Sequence, residues 1–193
     1  ILVTHDLDEA AQLADRIAVV HRGRVLQVGP PAEIRNKPRD LTVARLVNLR
    51  NLFRARVMGH EADGTVLDWR GRRIRVPVGE RLAVGAEVVW CIPTTAVDLA
   101  EGEPSSQTAG ENRLQAELAA VTLLGEMARL TLTLPEETGE RIIVSLPLHR
   151  VQGLGLTPGR RVAVSLPGGA IHLMPAPTAA RMDGATVRRR GRD

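Results

Sequence analysis

Two stretches of the sequence decide the fold: GAEVVWCIPTTAVDL at residues 85–99 and GRRVAVSLPGGAIHL at residues 159–173. They align without a gap, and the apolar positions between their identical residues correspond. The segments that open each copy also match, with NLFRARV at residues 51–57 and NRLQAEL at residues 112–118. Since both ends match in the same order, the sequence predicts an internal repeat. The identical pairs of the longer stretch are Gly85/Gly159, Val88/Val162, Pro93/Pro167, Ala96/Ala170 and Leu99/Leu173.

The repeated region has the texture of a β protein. Short alternating apolar segments are separated by glycine and proline, of which the 193-residue chain contains 18 and 12. This pattern predicts two modules of about five strands each. The stretch EGEPSSQTAGE between them is polar and rich in turn formers, which indicates a linker. We therefore expect modules at residues 51–100 and 112–175, a linker at residues 101–111 and a disordered basic tail at residues 176–193.

Residues 1–50 have a different pattern, that of an α/β unit. Residues 1–4 predict a strand that ends at His5, and Asp6 is a good N-cap for a helix with one apolar face. A β-hairpin is predicted over residues 16–28, followed by short helices at residues 32–36 and 41–47.

His5 lies just past the carboxyl end of the predicted strand, where ligands bind in open α/β sheets. An imidazole there can donate a hydrogen bond to a phosphate oxygen or hold a water molecule. Taken alone, such a histidine is compatible with a structural or an exposed position as well.

The surrounding residues resemble the end of ABC-type ATPase domains. The resemblance covers residues 1 to about 50 and rests on ILVTHD at residues 1–6, LADRIAVV at residues 13–20, GRVLQVG at residues 23–29 and PAEI at residues 31–34. In that family the strand-end histidine is the switch residue that contacts the γ-phosphate of ATP. The resemblance implies this catalytic role for His5 within a full-length subunit that uses ATP and Mg²⁺.

The phosphate-binding parts of such a domain do not occur in the sequence. It contains no G-x-x-x-x-G-K-[ST] loop, no acidic strand of the Walker B type and no Ser-Gly-Gly signature. Without amides that cradle phosphates and a carboxylate for Mg²⁺, a nucleotide site is incomplete. We therefore expect an N-terminally truncated fragment of a transport ATPase that neither binds a cofactor nor hydrolyses ATP by itself.

The repeats resemble the tandem transport-associated OB-like barrels that follow the ATPase domain in one branch of ABC importers. The second copy is most similar to a molybdate-binding (Mop-like) barrel, through Asn112-x-Leu-x-Ala, GERIIV at residues 139–144 and LGLTPG at residues 154–159. The expected fold is therefore mainly β, with tandem five-stranded OB-like (Mop/TOBE-type) barrels preceded by the α/β remnant of a P-loop ATPase domain.

The resemblance to Mop-like barrels also implies an oxyanion site, since such barrels hold tetrahedral anions on backbone amides and polar side chains. The corresponding residues here are Asn112, Arg113, Gly168 and Gly169. The family's lysine and serines are replaced by Pro167-Gly168-Gly169, and Glu111 would repel an anion. A role for Asn112, and likewise for Asn51, as a strand-entry residue that bonds the backbone is the alternative.

Composition narrows the other possibilities. The chain has one Phe, two Trp and no Tyr, so it lacks the stacking platform of barrels that bind single-stranded nucleic acid. Its single cysteine, Cys91, excludes an internal disulfide and fits a reducing cytoplasm. The histidines have no metal-ligand spacing, and we assign no metal site.

Two functions remain. The first is the C-terminal part of the energy-coupling ATPase subunit of an ABC importer, for molybdate, tungstate or a similar anion. Its expected partners are a transmembrane permease and a second copy of the subunit, at the inner face of the cell membrane, and its barrels would serve regulation or dimerisation. The alternative is an oxyanion store or sensor without ATPase activity.

Overall fold

The computed structural model describes residues 1–62, 64–77, 82–100, 111–135 and 139–177. Residues 1–50 form the elements α1 (Leu7–Leu13), β1 (Ile17–His21), β2 (Arg24–Gly29), α2 (Pro31–Asn36) and α3 (Leu41–Leu46).

The helix starts of this region follow from capping side chains. The Asp6 carboxylate accepts hydrogen bonds from the backbone N–H groups of Asp8 and Glu9, which confirms it as the N-cap of α1. Asp40 caps α3 in the same way. The predicted hairpin and both short helices are present. The strand predicted for residues 1–4 is not formed, because no strand in the described part of the chain lies beside these residues to pair with them.

In its described residues the repeated region forms strands, one helix and a 3₁₀ turn. The first copy contains β3 (Asn51–Glu61), β4 (Gly64–Trp69), β5 (Arg72–Pro77), β6 (Glu87–Ile92) and β7 (Asp98–Ala100). The second contains β8 (Glu111–Leu124), β9 (Met127–Thr133), β10 (Arg141–Pro147), α4 (Leu148–Gly153), β11 (Arg161–Pro167), a 3₁₀ turn (Gly168–Ala170) and β12 (His172–Pro175).

The two copies exchange their last strands. One five-stranded sheet has the order β12-β6-β3-β4-β5, and the other has the order β10-β9-β8-β11-β7. Four strands of each sheet come from one repeat in the same order, and the fifth comes from the other repeat. Every pairing is antiparallel, with β12 on β6 and β7 on β11. The mainly β class with two five-stranded sheets is confirmed, whereas closure into barrels, the P-loop ancestry of residues 1–50 and the module boundaries remain predictions.

One apolar core contains side chains from both sheets, and the exchanged strands β7 and β12 pack against it. Leu132 and Leu166 of the second repeat are fully buried in the same cluster as Trp69 and Trp90 of the first. The Phe53 ring lies 4.7 Å from the Trp69 ring and 4.6 Å from the Trp90 ring, measured between centroids. Aromatic side chains of this size contribute much of the apolar area that a small domain buries.

Residues 1–50 are attached to the β region through α3 and β12. Ala44 of α3 packs with Val89, Cys91 and Met174 in a small buried cluster. His172 Nε2 lies 2.9 Å from the Pro38 carbonyl oxygen and donates to it. Burial lowers the pKa of His172, because the charged imidazolium loses hydration there. Burial also raises the pKa of the Cys91 thiol to about 12, which leaves it without reactive thiolate character.

Several sequence predictions fall on other parts of the chain. The linker predicted at residues 101–111 lies outside the described residues, apart from Glu111, which begins β8. The predicted tail is likewise outside them from residue 178 onward. Among the helices that are described, none combines the length and the apolar composition needed to cross a membrane.

The shared core and the exchanged strands predict that both sheets unfold together. Leu132→Ala in the second sheet should lower the free energy of unfolding by about 2–5 kcal/mol, through lost burial and the cavity left behind. The fluorescence of Trp69 and Trp90, which belong to the first sheet, should report the same shifted urea midpoint as far-UV circular dichroism. Leu124→Ala, at a side chain that is 46% exposed, is the control and should change stability by less than about 0.5 kcal/mol. A fluorescence midpoint that stays at the wild-type value in Leu132→Ala would contradict joint unfolding.

Candidate functional site

His5 lies between the unpaired residues 1–4 and helix α1, and its side chain is exposed. It lines a cleft together with its neighbours Asp6, Leu7 and Asp8. Asp6 is committed to capping α1 through its Oδ1 atom, 2.8 Å from the Asp8 nitrogen and 3.1 Å from the Glu9 nitrogen. The γ-phosphate role of His5 therefore remains a prediction that concerns a larger subunit.

Asn51 and Asn112 connect the two repeats through matched hydrogen bonds. The Asn51 amide donates to the Ile143 carbonyl at 2.8 Å, and its Oδ1 accepts from the Ile143 nitrogen at 2.8 Å. In the same way Asn112 accepts from the Arg75 nitrogen at 2.7 Å and donates to the Arg75 carbonyl at 2.9 Å. Ile143 and Arg75 lie on β10 and β5, the outer strands of the two sheets. Each side-chain amide thus replaces a peptide group beside a strand of the other repeat, in line with the strand-entry prediction.

The four residues of the predicted oxyanion site lie near one another. Asn112 also donates to the Leu166 carbonyl at 3.0 Å, which places the start of β8 beside the end of β11. Arg113 stands opposite Ser165 in the register of these strands. Gly168 is buried, whereas Gly169 is exposed and has open space where a side chain would begin. Because both amide hydrogens of Asn112 already donate to carbonyls, Asn112 would have to release one of them to bind an anion. Anion binding here remains a prediction.

The corresponding place in the other half carries hydroxyl groups. Thr94 and Thr95 occupy the positions that Gly168 and Gly169 hold in the second repeat. The Ser145 nitrogen donates to the Thr94 carbonyl at 2.9 Å, and the two hydroxyl oxygens of Ser145 and Thr94 are 3.0 Å apart.

These threonines line the same cleft as His5, which we call the junction cleft. It has a volume of about 340 Å³ and lies between residues 1–50 and the repeats. Its lining combines two loops and the ends of several elements: His5, Asp6, Leu7, Asp8, Arg35, Leu46, Val47, Asn48, Leu49, Arg50, Pro93, Thr94, Thr95 and Arg129.

Of the three arginines that line the junction cleft, one has a carboxylate partner among the described residues. Arg35 forms an ion pair with Asp8. Arg129 is half-buried on β9, opposite Ser145 on one side and Thr122 on the other. Within the described residues, neither Arg129 nor the exposed Arg50 has a carboxylate partner at ion-pair distance. The same part of the chain contains no group of three or more His, Cys, Asp or Glu that could hold a metal ion.

Sequence reasoning missed this cleft because its cations and hydroxyls come from separate parts of the chain. Arg50 precedes β3, the threonines follow β6, and Arg129 lies on β9. The one available signal was the replacement of a Gly-Gly pair in one repeat by Thr-Thr in the other.

Residues 108–173 match the family model of the TOBE domain. This part of the chain is similar to the TOBE domain. This match covers the second repeat and agrees with the resemblance that the sequence suggested. The finer assignment to the Mop-like type is not given by this match.

Relatives extend the similarity to residues before the TOBE domain. The chain is 31% identical over 173 residues to the molybdate/tungstate import ATP-binding protein WtpC of Pyrococcus abyssi, which covers 89% of the chain and 46% of that protein. It is 33% identical over 168 residues to the spermidine/putrescine import ATP-binding protein PotA of Rubrobacter xylanophilus, which covers 86% of the chain and 42% of that protein. The chain is thus homologous to the C-terminal region of ABC importer ATP-binding subunits and spans less than half the length of these relatives.

A solved structure has a similar fold. The molybdate-bound crystal structure of the cytoplasmic molybdate-binding protein ModG superposes with a TM-score of 0.59, over 67% of this chain and 98% of that one. The two sequences are 21% identical in this comparison, so the likeness concerns the fold.

The Asn51 bonds predict a strong dependence of stability on this side chain. Asn51→Ala should lower the free energy of unfolding by about 1–3 kcal/mol for each main-chain group of Ile143 left buried and unpaired. Asn51→Asp keeps the size and the acceptor but turns an oxygen toward the Ile143 carbonyl, so it should destabilise at least as strongly near neutral pH. Urea unfolding measures both effects. Asn36→Ala, at an exposed residue of α2, is the control. If Asn51→Ala were as mild as this control, the inter-repeat bonds would not stabilise the fold.

Proposed function

We propose that the chain is the C-terminal regulatory region of the ATP-binding subunit of an ABC importer for molybdate, tungstate or a similar anion. The observation that carries this proposal is the similarity to import ATP-binding proteins, which extends over nearly nine-tenths of the chain at 89% coverage by WtpC. Since only about a tenth of the chain lies outside this match, the match extends well before residues 108–173 and into residues 1–50. Import ATP-binding proteins for sulfate/thiosulfate and for Fe(3+) ions are also similar to the chain. The choice of molybdate or tungstate as the transported anion therefore depends on the match to WtpC and on the ModG-like fold.

The way residues 1–50 pack supports a regulatory role for the repeats. Ala44 shares a buried cluster with Cys91 and Met174, and Pro38 accepts a hydrogen bond from His172. These contacts link the β region to α3 and to the segment before it. In this proposal the repeats act on the ATPase part through these contacts, or join two subunits.

ATP and Mg²⁺ would be held mostly by residues that this sequence does not contain. The exposed His5 can supply one contact to a γ-phosphate, but the chain offers no glycine-rich phosphate loop and no Walker-type acidic strand. Nucleotide chemistry would belong to the complete subunit. There, two copies would enclose ATP and drive a permease at the cytoplasmic face of the membrane.

The reading frame upstream of Ile1 tests this proposal. We expect genomic DNA to encode, in frame, a phosphate loop and a Ser-Gly-Gly signature. A stop codon in frame just before Ile1 would overturn the proposal. In the complete polypeptide, His5→Ala should reduce ATP hydrolysis by at least tenfold, because the γ-phosphate contact is lost. His149→Ala, at an exposed histidine of α4, should leave the rate within twofold.

A second candidate function is oxyanion binding by the repeats themselves, at Asn112, Arg113, Gly168 and Gly169. Three observations favour it: the ModG-like fold, the similarity to WtpC, and the open space over Gly169 beside the start of β8. In this proposal the chain stores or senses molybdate or tungstate without ATPase activity.

Isothermal titration calorimetry of the 193-residue chain with molybdate, tungstate and sulfate tests this second function. We expect saturable heat for molybdate or tungstate, and Gly169→Ala should weaken binding severalfold because its methyl group enters the open space. Gly153→Ala, which also adds a methyl group in open space, is the matched control. If no heat appears at millimolar anion, the second function is excluded.

A further inference from the structure

We propose that the junction cleft binds a multiply charged phosphate-type oxyanion through Arg50, Arg129, Thr94 and Thr95. This site differs from the one predicted at Gly168 and Gly169, and it goes beyond both proposed functions. The bound anion would join residues 1–50 to the repeats, since the cleft is lined by His5 and Arg50 from residues 1–50 and by Thr94, Thr95 and Arg129 from the repeats.

The first argument is charge. A half-buried guanidinium is costly unless it is paired, because part of its hydration is lost. Arg129 has this position, and the described residues provide no carboxylate for it or for Arg50. The nearby Asp8 is already paired with Arg35. An oxyanion in the cleft would supply the missing countercharge.

The second argument is the set of donors. A guanidinium presents a planar array of N–H groups that can bond two oxygens of one anion. Ser145 and Thr94 have hydroxyl oxygens 3.0 Å apart, so one hydroxyl donates to the other and the second keeps its hydrogen for a ligand. Thr95 adds another O–H at the exposed rim. Hydroxyls and guanidinium groups together match an anion whose oxygens point in several directions.

The third argument comes from comparing the two halves. The reciprocal asparagine bonds align Ile143 with Arg75, and therefore Ser145 with Pro77. Strand register then aligns Arg129, opposite Ser145, with Gly64, opposite Pro77. Thr94 and Thr95 align with Gly168 and Gly169. Arg129, Ser145, Thr94 and Thr95 thus each correspond to glycine or proline at the other end, and Arg50 corresponds to Glu111. The donor set is therefore not a by-product of the repeated fold.

The size of the cleft indicates the class of anion. About 340 Å³ exceeds the volume of a single tetrahedral ion and is in the usual range for small-ligand sites. Asp6 is the acidic group that opposes binding, and its Oδ1 is bonded to the backbone of α1. A diphosphate, either inorganic or as part of a nucleotide, carries enough negative charge and enough oxygen atoms to engage two guanidinium groups at once.

Isothermal titration calorimetry with sodium pyrophosphate tests the site in the 193-residue chain. We expect saturable binding whose dissociation constant rises at least tenfold in Arg129→Gln and in Arg50→Gln, and about threefold in Thr94→Val. Arg141→Gln, at an exposed arginine on the neighbouring β10, should stay within twofold. Gly169→Ala should also stay within twofold, which separates this site from the one proposed above. Circular dichroism confirms folding, and the exposed Arg50 provides a test even if the Arg129 variant does not fold.

Two further measurements identify the source of the anion and the bridging effect. If ATP displaces pyrophosphate and its own binding is also weakened by Arg129→Gln, the site binds nucleotide phosphates. If inorganic phosphate displaces pyrophosphate and ATP does not, the site binds an inorganic anion. Pyrophosphate should also slow hydrogen exchange at residues 46–50 and at Thr94 and Thr95 in the wild type but not in Arg129→Gln. Absence of saturable heat at millimolar pyrophosphate, or equal losses in Arg129→Gln and Arg141→Gln, would overturn the proposal.

Discussion

The pairing of each repeat's last strand with the other repeat's sheet is the constraint on which the rest of the structure depends. β7 completes the sheet of β8 to β11, and β12 completes the sheet of β3 to β6. Neither sheet reaches five strands without the partner repeat. The two repeats therefore make reciprocal contacts of the kind that two separate subunits make in a dimer. Because the repeats belong to one chain, the effective concentration of each repeat around the other is set by the segment that connects them.

The two asparagines fix how the repeats meet. A primary amide can donate to the carbonyl and accept from the N–H of the same residue, because its donor and acceptor are spaced as in a peptide group. Asn51 is fully buried and Asn112 is 6% exposed, so water does not compete for these bonds. Because an unpaired peptide group at a buried position is expensive, the bonds select one relative placement of the repeats. That placement brings the loop of Thr94 against β10 and the turn of Gly168 against β5.

Much of this fold was predictable from sequence, since it depends on local pattern. The capping of α1 by Asp6, the β1–β2 hairpin and the matching strand sequence of the repeats all follow from neighbouring residues. The exchange of β7 and β12 does not, because Asp98–Ala100 can pair equally well with either sheet as far as its own sequence shows. The strand expected at residues 1–4 failed for a related reason, as a strand is stabilised by its neighbour. The four residues of the predicted oxyanion site do lie near one another. The junction cleft depends on how distant elements pack, and the only sign of it in the sequence is the Thr-Thr pair.

The two repeats have the same strand arrangement but carry different side chains at aligned positions. Phe53, Trp69 and Trp90 form the aromatic cluster of the first repeat, and the aligned positions of the second carry Leu114, Leu134 and Val164, all buried. The common core absorbs this difference because bulk on one side is met by smaller side chains on the other. The polar positions at the two ends of this arrangement differ in kind. Arg129 corresponds to the buried Gly64 and Thr94 to the buried Gly168, so one end has side-chain donors at positions where the other end has no side chain. A duplicated unit can in this way have two chemically different ends, and the donor-rich end lines a cleft together with His5.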